Sequence, residues 1–194
     1  MATFGNTTAL ADTDDLTDDW IRSTLMTVPA DCSSISKIVA YLRVTSFAKD
    51  VKRGIWDDAL NLVYESGATN VAVGAFQWVE FIDVPDLTAY RTDDIYVGVL
   101  SSAGAAGFCE IGNSYSVTAG AYPGYRDEHD YDLGLPNPLV PSAAWHSDYP
   151  IYCEYTPVGA GVTVKKGSNL ASTMAQMLNS KMLFDLMPRP RRLP

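Results

Sequence analysis

Along the first four-fifths of the chain, apolar and polar residues alternate with a period of two between clusters of turn residues, which predicts short half-buried strands. "WIRSTLMTV" (Trp20 to Val28) and "SSISKIVAYLRVTS" (Ser33 to Ser46) are two such stretches, separated by the turn "PADC". In the second, Ile38, Ala40, Leu42 and Val44 share one face, and Lys37, Val39, Tyr41 and Arg43 share the other. "VKRGIWD" and "LNLVYES", joined through Asp57, Asp58 and Ala59, have the spacing of a hairpin. "FQWVEFIDV" ends at Pro85, "DIYVGVLS" runs into a Ser, Ala and Gly cluster, "GFCEIG" follows it, and "PIYCEYTPV" closes the series.

About eight strands with no helical period among them predict an all-β, antiparallel sandwich of jelly-roll type over residues 1–158, with an immunoglobulin-like sandwich as the competing arrangement. Between Ser114 and Tyr149 the alternation stops. Pro123, Pro136, Pro138 and Pro141 fall in this segment, which reads as a long loop without a central strand, either functional or folded over its own core.

Beyond Gly159 the pattern changes again. A Gly-rich link leads into "SNLASTMAQMLNSKMLFDLM", where Ser168 is a helix cap and Leu170, Met174, Met177 and Leu178 recur at helical spacing. Pro188 stops that helix and "PRPRRLP" extends from it. "MLFDLM" is apolar nearly all round, so the helix needs a partner. It can pack on its own sandwich, dock on another subunit, or bring arginines to nucleic acid. Docking is the expected use of residues 159–194, a basic amphipathic anchor.

Charge supports that division. In residues 1–158, eight Lys and Arg face twenty-two Asp and Glu, a balance of -14; residues 159–194 carry six Lys and Arg and one Asp, +5, which together give the formal -9 of the 194-residue chain. An acidic body is unsuited to nucleic acid, which demands clustered Lys and Arg. No apolar run is long enough for a membrane span, and "MATFGNTTALADTDD" lacks the basic start and apolar middle of a secretion signal, so a soluble, intracellular product is expected. Cys32, Cys109 and Cys153 show no close pairing and read as small apolar residues in or beside strands.

The densest chemistry lies in "GYRDEHDYD", Gly124 to Asp132. Glu128, Asp130 and Asp132 alternate like the paired carboxylates of a glycosidase strand, but the neighbouring "PGYRD" and "LGLPNP" are loop-formers, so catalysis is not expected there. A glycoside hydrolase would need Glu128 and Asp132 within reach of each other. Alternate carboxylates in a loop suit structural calcium, which makes Asp127, Glu128, Asp130 and Asp132 the metal candidates, with the acidic "DTDDLTDD" (Asp12 to Asp19) a second place for it; no other cofactor is indicated. His129 and His146 stand near no nucleophile pattern. Tyr125, Tyr131 and Trp145, aromatic among polar neighbours, are the candidates for a glycan, against the plainer reading that such rings pin the loop to the sandwich.

Phe4 and Gly5, Ile38 to Leu42 ("IVAYL"), Ile55 to Asp57 ("IWD") and Tyr149 to Pro157 ("YPIYCEYTP") together resemble a jelly-roll domain of tailed-phage virion proteins, of the decoration and fibre type. The resemblance covers nearly all of residues 4–158. It implies a non-enzymatic virion structural protein, assembled in the host cytoplasm and expected to be a capsid decoration or cement protein, trimeric, bound to capsid or tail subunits. The anchor would be Leu170, Met174, Met177, Leu178, Leu183 and Phe184 with Arg189, Arg191 and Arg192. The alternative it implies is a head- or tail-fibre module that binds surface glycan.

Overall fold

A computed structural model describes residues 1–16, 20–82, 85–102, 108–115, 124–140, 143–144 and 147–158, with 115, 125, 143 and 144 described through their backbone. The helix expected after Ser168, the anchor residues Leu170 to Arg192, Trp145 and His146 lie outside these residues. In chain order the strands are β1 (Ala2–Gly5), β2 (Asp12–Asp15), β3 (Trp20–Thr27), β4 (Cys32–Val44), β5 (Lys49–Asp57), β6 (Leu62–Glu65), β7 (Thr69–Val71), β8 (Gly74–Phe81), β9 (Asp94–Ser101), β10 (Cys109–Tyr115), β11 (Gly124–Glu128), β12 (Ala143–Ala144), β13 (Ser147–Asp148) and β14 (Ile151–Pro157). Every pairing between them is antiparallel.

They form two sheets. The first runs β1-β14-β4-β10-β13, with β8 on β4 and β2 on β10; the second runs β12-β11-β3-β9-β5-β6, with β7 on β5. Strand β4 organises the first sheet: β8 lies along one edge, while β14 and β10 follow one another along the other. An all-β, antiparallel architecture is therefore present, although the expected count of about eight strands is too low. The extra strands are short ones of two to five residues, whose alternation is too brief to stand out.

The core between the sheets takes Ile38, Ala40, Leu42 and Val44 from β4, and Ile55, Ile95, Val97 and Val99 from the facing sheet. The four β4 residues are almost wholly buried, as their shared face predicts. All three cysteines are free, and they lie buried in this core as small apolar residues.

A second core covers the outer face of the second sheet. Ile21, Trp56, Tyr96 and Leu100 project outward from their strands and are capped by Leu135 and Leu139. Gly54 and Gly98 stand opposite each other in the β5–β9 pairing, and a Cβ on either would meet the Trp56 indole. Two glycines side by side thus make the flat place on which the indole lies. Trp56 Nε1 donates to the Pro136 carbonyl at 2.9 Å, and the Leu139 amide to the Leu60 carbonyl at 2.9 Å. Residues 135–139 of the proline-rich segment thus lie folded over the core, one of the two arrangements the sequence allows.

The expectation that no central strand lies between Ser114 and Tyr149 is corrected. Strand β11 sits inside the second sheet, between β3 and β12, with Asp127 opposite Ile21 and Arg126 opposite Arg22. The four prolines fall outside Gly124–Glu128, so none removes one of its ladder hydrogen bonds. Likewise Asp12–Asp15, in the acidic stretch expected as a second place for calcium, is the strand β2 paired with β10. Both strands escape the period-two signal because the residues they turn inward are polar.

Candidate functional site

The residues of "GYRDEHDYD" are held by different elements and turned in different directions. On β11, Asp127 is buried and Glu128 exposed, since neighbours on a strand face opposite ways. Asp127 Oδ2 accepts the Val140 amide at 3.4 Å, and burial pushes its carboxyl above the usual aspartate range. Asp130 Oδ1 accepts the Asp132 amide at 2.8 Å and caps the short turn Tyr131–Leu133, in which Asp132 is exposed. Asp127 and Asp130 are thus used singly in the fold, while Glu128 and Asp132 are exposed. Among the described residues, no group of three or more His, Cys, Asp and Glu is placed to hold a metal ion.

Tyr131 serves as a pin. The Lys52 ammonium donates to its carbonyl at 2.7 Å and lies 4.2 Å from its ring centre, and the ring packs against the second core. The backbone of Tyr125 pairs with Ser23 and Ala144 inside the sheet. With Trp145 outside the described residues, Tyr125, Tyr131 and Trp145 are not seen to converge on one surface.

A polar cluster closes one end of the interior. Asp14 of β2 accepts from Arg22 Nε and Nη2 of β3, each at 2.9 Å, and from the Tyr149 hydroxyl at 2.8 Å. Burial moves the Tyr149 phenol upward, and the Thr24 hydroxyl donates to the Tyr149 carbonyl at 3.1 Å. Arg126, directly opposite Arg22, lays its guanidinium 4.4 Å from the centre of the Trp20 ring. Asn113, fully buried at this end, has no hydrogen-bond partner for either side-chain atom among the described residues. These groups join the two sheets, and none of them opens to solvent as a nucleophile and base together.

The outer face of the first sheet carries aromatic residues of its own, and beside Gly112 the Leu10 carbonyl, the Tyr41 ring and Pro150 come together. Phe76 and Trp78 of β8, Tyr41 of β4 and Tyr152 of β14 form a continuous row, each half-buried. Ring centres are 5.3 Å apart for Tyr41 and Phe76, 5.1 Å for Tyr41 and Trp78, and 5.2 Å for Trp78 and Tyr152. Trp78 and Tyr152 come from opposite edges of β4 and meet across it, and Val39 beneath is fully buried although it points outward. Ion pairs frame the row. Lys37 reaches Glu80 at 2.6 Å and Glu154 at 3.7 Å at one end, and Arg43 reaches Glu110 at 2.6 Å at the other, with its guanidinium 4.8 Å from the Phe76 ring centre.

This row was not among the residues singled out from the sequence. The signal for it exists, an aromatic at outward positions of three separate strands. What the pattern lacks is the information that β8 and β14 lie on either side of β4, without which the rings are scattered. The chain matches no protein-family model and no curated protein.

Proposed function

We propose that the chain is a virion structural protein, a capsid decoration or cement protein in which a jelly-roll body is displayed and the basic segment 159–194 attaches it, as a trimer, to a neighbouring virion subunit. The observation that carries this reading is the opposed charge of the two parts, -14 over residues 1–158 and +5 over residues 159–194. Opposite charges within one chain suit a protein that joins an acidic or phosphate-rich surface at one end and stays soluble at the other. The body supports the same reading. Within it Asp14 serves an inter-sheet ion pair, Asp130 a turn cap and Asp127 a bond from the Val140 amide, as a scaffold uses carboxylates.

Particle incorporation tests it. Full-length chain should co-purify with assembled particles, and a variant carrying Arg189→Glu, Arg191→Glu and Arg192→Glu with Leu178→Asp should be lost from them while its body keeps the same unfolding transition. Equal incorporation of both would refute the anchor.

A further inference from the structure

We propose that the aromatic row on the outer face of the first sheet, Phe76, Tyr41, Trp78 and Tyr152, is a binding platform for a neutral polysaccharide, a function that does not rest on the anchoring role of residues 159–194. The two outer faces contrast. On the second sheet the outward Trp56 is wholly buried beneath the chain's own Leu135 and Leu139, with its indole N–H bonded. On the first sheet the outward rings remain half-buried, with Leu10 and Pro150 beside the Tyr41 ring. A row of rings that reaches β8, an edge strand with β4 as its one partner among the described residues, is open at its end to an extended ligand.

Size decides against a protein partner. Four rings of intermediate exposure offer no more than about 300 Å² of aromatic surface between them, a third or less of the 150–250 Å² each carries. A stable protein interface needs about 800 Å² per partner. Charge decides against nucleic acid, whose binding needs an unmatched positive groove beside the stacking rings. Here the two cations of the frame are each held by a carboxylate, and three carboxylates stand against them.

A pyranose chain fits what is left. The C–H bonds on the face of a sugar ring carry partial positive charge and meet the negative face of an aromatic ring. The hydroxyls lie around the edge of the sugar, where they can donate to Glu80 and Glu154 and accept from Lys37. Tyr41 and Phe76 stack at 23°, Trp78 lies at 48° to Tyr41 and meets Tyr152 edge-on at 67°, so the row offers mixed ring edges and faces about 5 Å apart, and a polymer touching several of them should bind more tightly than a monosaccharide.

The test is a titration of the full chain, labelled with nitrogen-15, against laminarin, dextran, galactomannan and hydroxyethylcellulose, with heparin and oligo-deoxythymidine as charged probes. The Trp78 indole signal, assigned through Trp78→Phe, should move with at least one neutral polymer and with neither charged probe. Trp78→Leu, which keeps apolar cover over Val39, and Tyr152→Ala should each weaken that binding about tenfold while the unfolding midpoint identifies them as folded. The proposal is overturned if no neutral polymer moves the Trp78 signal, if a charged probe alone does, or if binding survives Trp78→Leu and is lost in Trp145→Ala, which would assign it to the 114–149 segment instead.

Discussion

Arg22 of one sheet and Asp14 of the other meet in a two-pronged ion pair, Nε to Oδ2 and Nη2 to Oδ1, both at 2.9 Å. The arginine side chain is 3% exposed and the aspartate side chain 15%, so water screens the pair little. Removing one partner leaves the other charged and buried. Asp14→Ala should therefore cost about 3 kcal/mol in urea unfolding, and it also takes the acceptor from Tyr149. The double variant Asp14→Leu with Arg22→Met should lose less than either single change, because no unpaired charge then remains inside. A double variant as unstable as the sum of the singles would show that the pair is not energetically coupled.

Burial alone raises the carboxyl of Asp148, and burial is the main cause for Asp127, so both hold protons in the folded state at a pH where the unfolded chain has released them. Their cost to stability is complete above the raised folded-state values and disappears as the pH falls through the ordinary aspartate value of about 3.9. Over that window they make the protein more stable as the pH falls. Asp86, held low by the Thr88 hydroxyl and amide, works in the opposite sense, but its contribution is lost only below the ordinary range. Asp127→Asn should thus match or exceed the parent in stability at pH 7, and its urea midpoint should vary less between pH 7 and pH 4.5. A steeper pH dependence in the variant would contradict the direction.

Close packing at the same end of the sandwich leaves no room for a methyl group on Gly124. A Cβ there would collide with the Ser147 carbonyl oxygen and stand 2.6 Å from two carbons of the Tyr149 ring. Gly124→Ala should cost about 2–3 kcal/mol, measured by thermal or urea unfolding. Gly67→Ala, which meets nothing within 4 Å, is the control and should change stability by less than about 0.5 kcal/mol.

All three thiols are wholly shielded, and burial pushes the Cys109 thiol up to about 12, with Cys32 raised in the same direction. Thiolate is the reactive form, so a disulfide reagent at pH 8 should label none of the three in the native protein and all three in urea. Rapid native labelling of Cys109 would mean that β10 opens from the sheet.

How far the sequence foretells this fold depends on what each strand buries. β4 and β9 turn aliphatic residues inward, and their bounds nearly coincide with the stretches in which the alternation is plain. β2 and β11 turn Asp14, Arg126 and a glycine inward, because one end of the interior is polar, and a polar inward face has no hydrophobic period to read. The pairing of Asp14 with Tyr149 spans 135 positions and rests on charge and hydroxyl chemistry that many other Asp and Tyr could share. The aromatic row was hidden for a similar reason. Tyr41, Phe76, Trp78 and Tyr152 become neighbours only through strand order, a property of the sheet and not of any one segment.

Because β1 lies antiparallel on β14, with Ala2 opposite Tyr155 and Gly5 opposite Tyr152, Met1 and Val158 leave the same end of that pair. Tension applied between these two points does not shear the four rungs together. It peels them one at a time, starting at Ala2 and Tyr155, since the hydrogen bonds of an antiparallel pair run perpendicular to the strands. The body should therefore yield first at β1 under load, at modest force, while the long overlap of β4 with β8 and β14 stays intact.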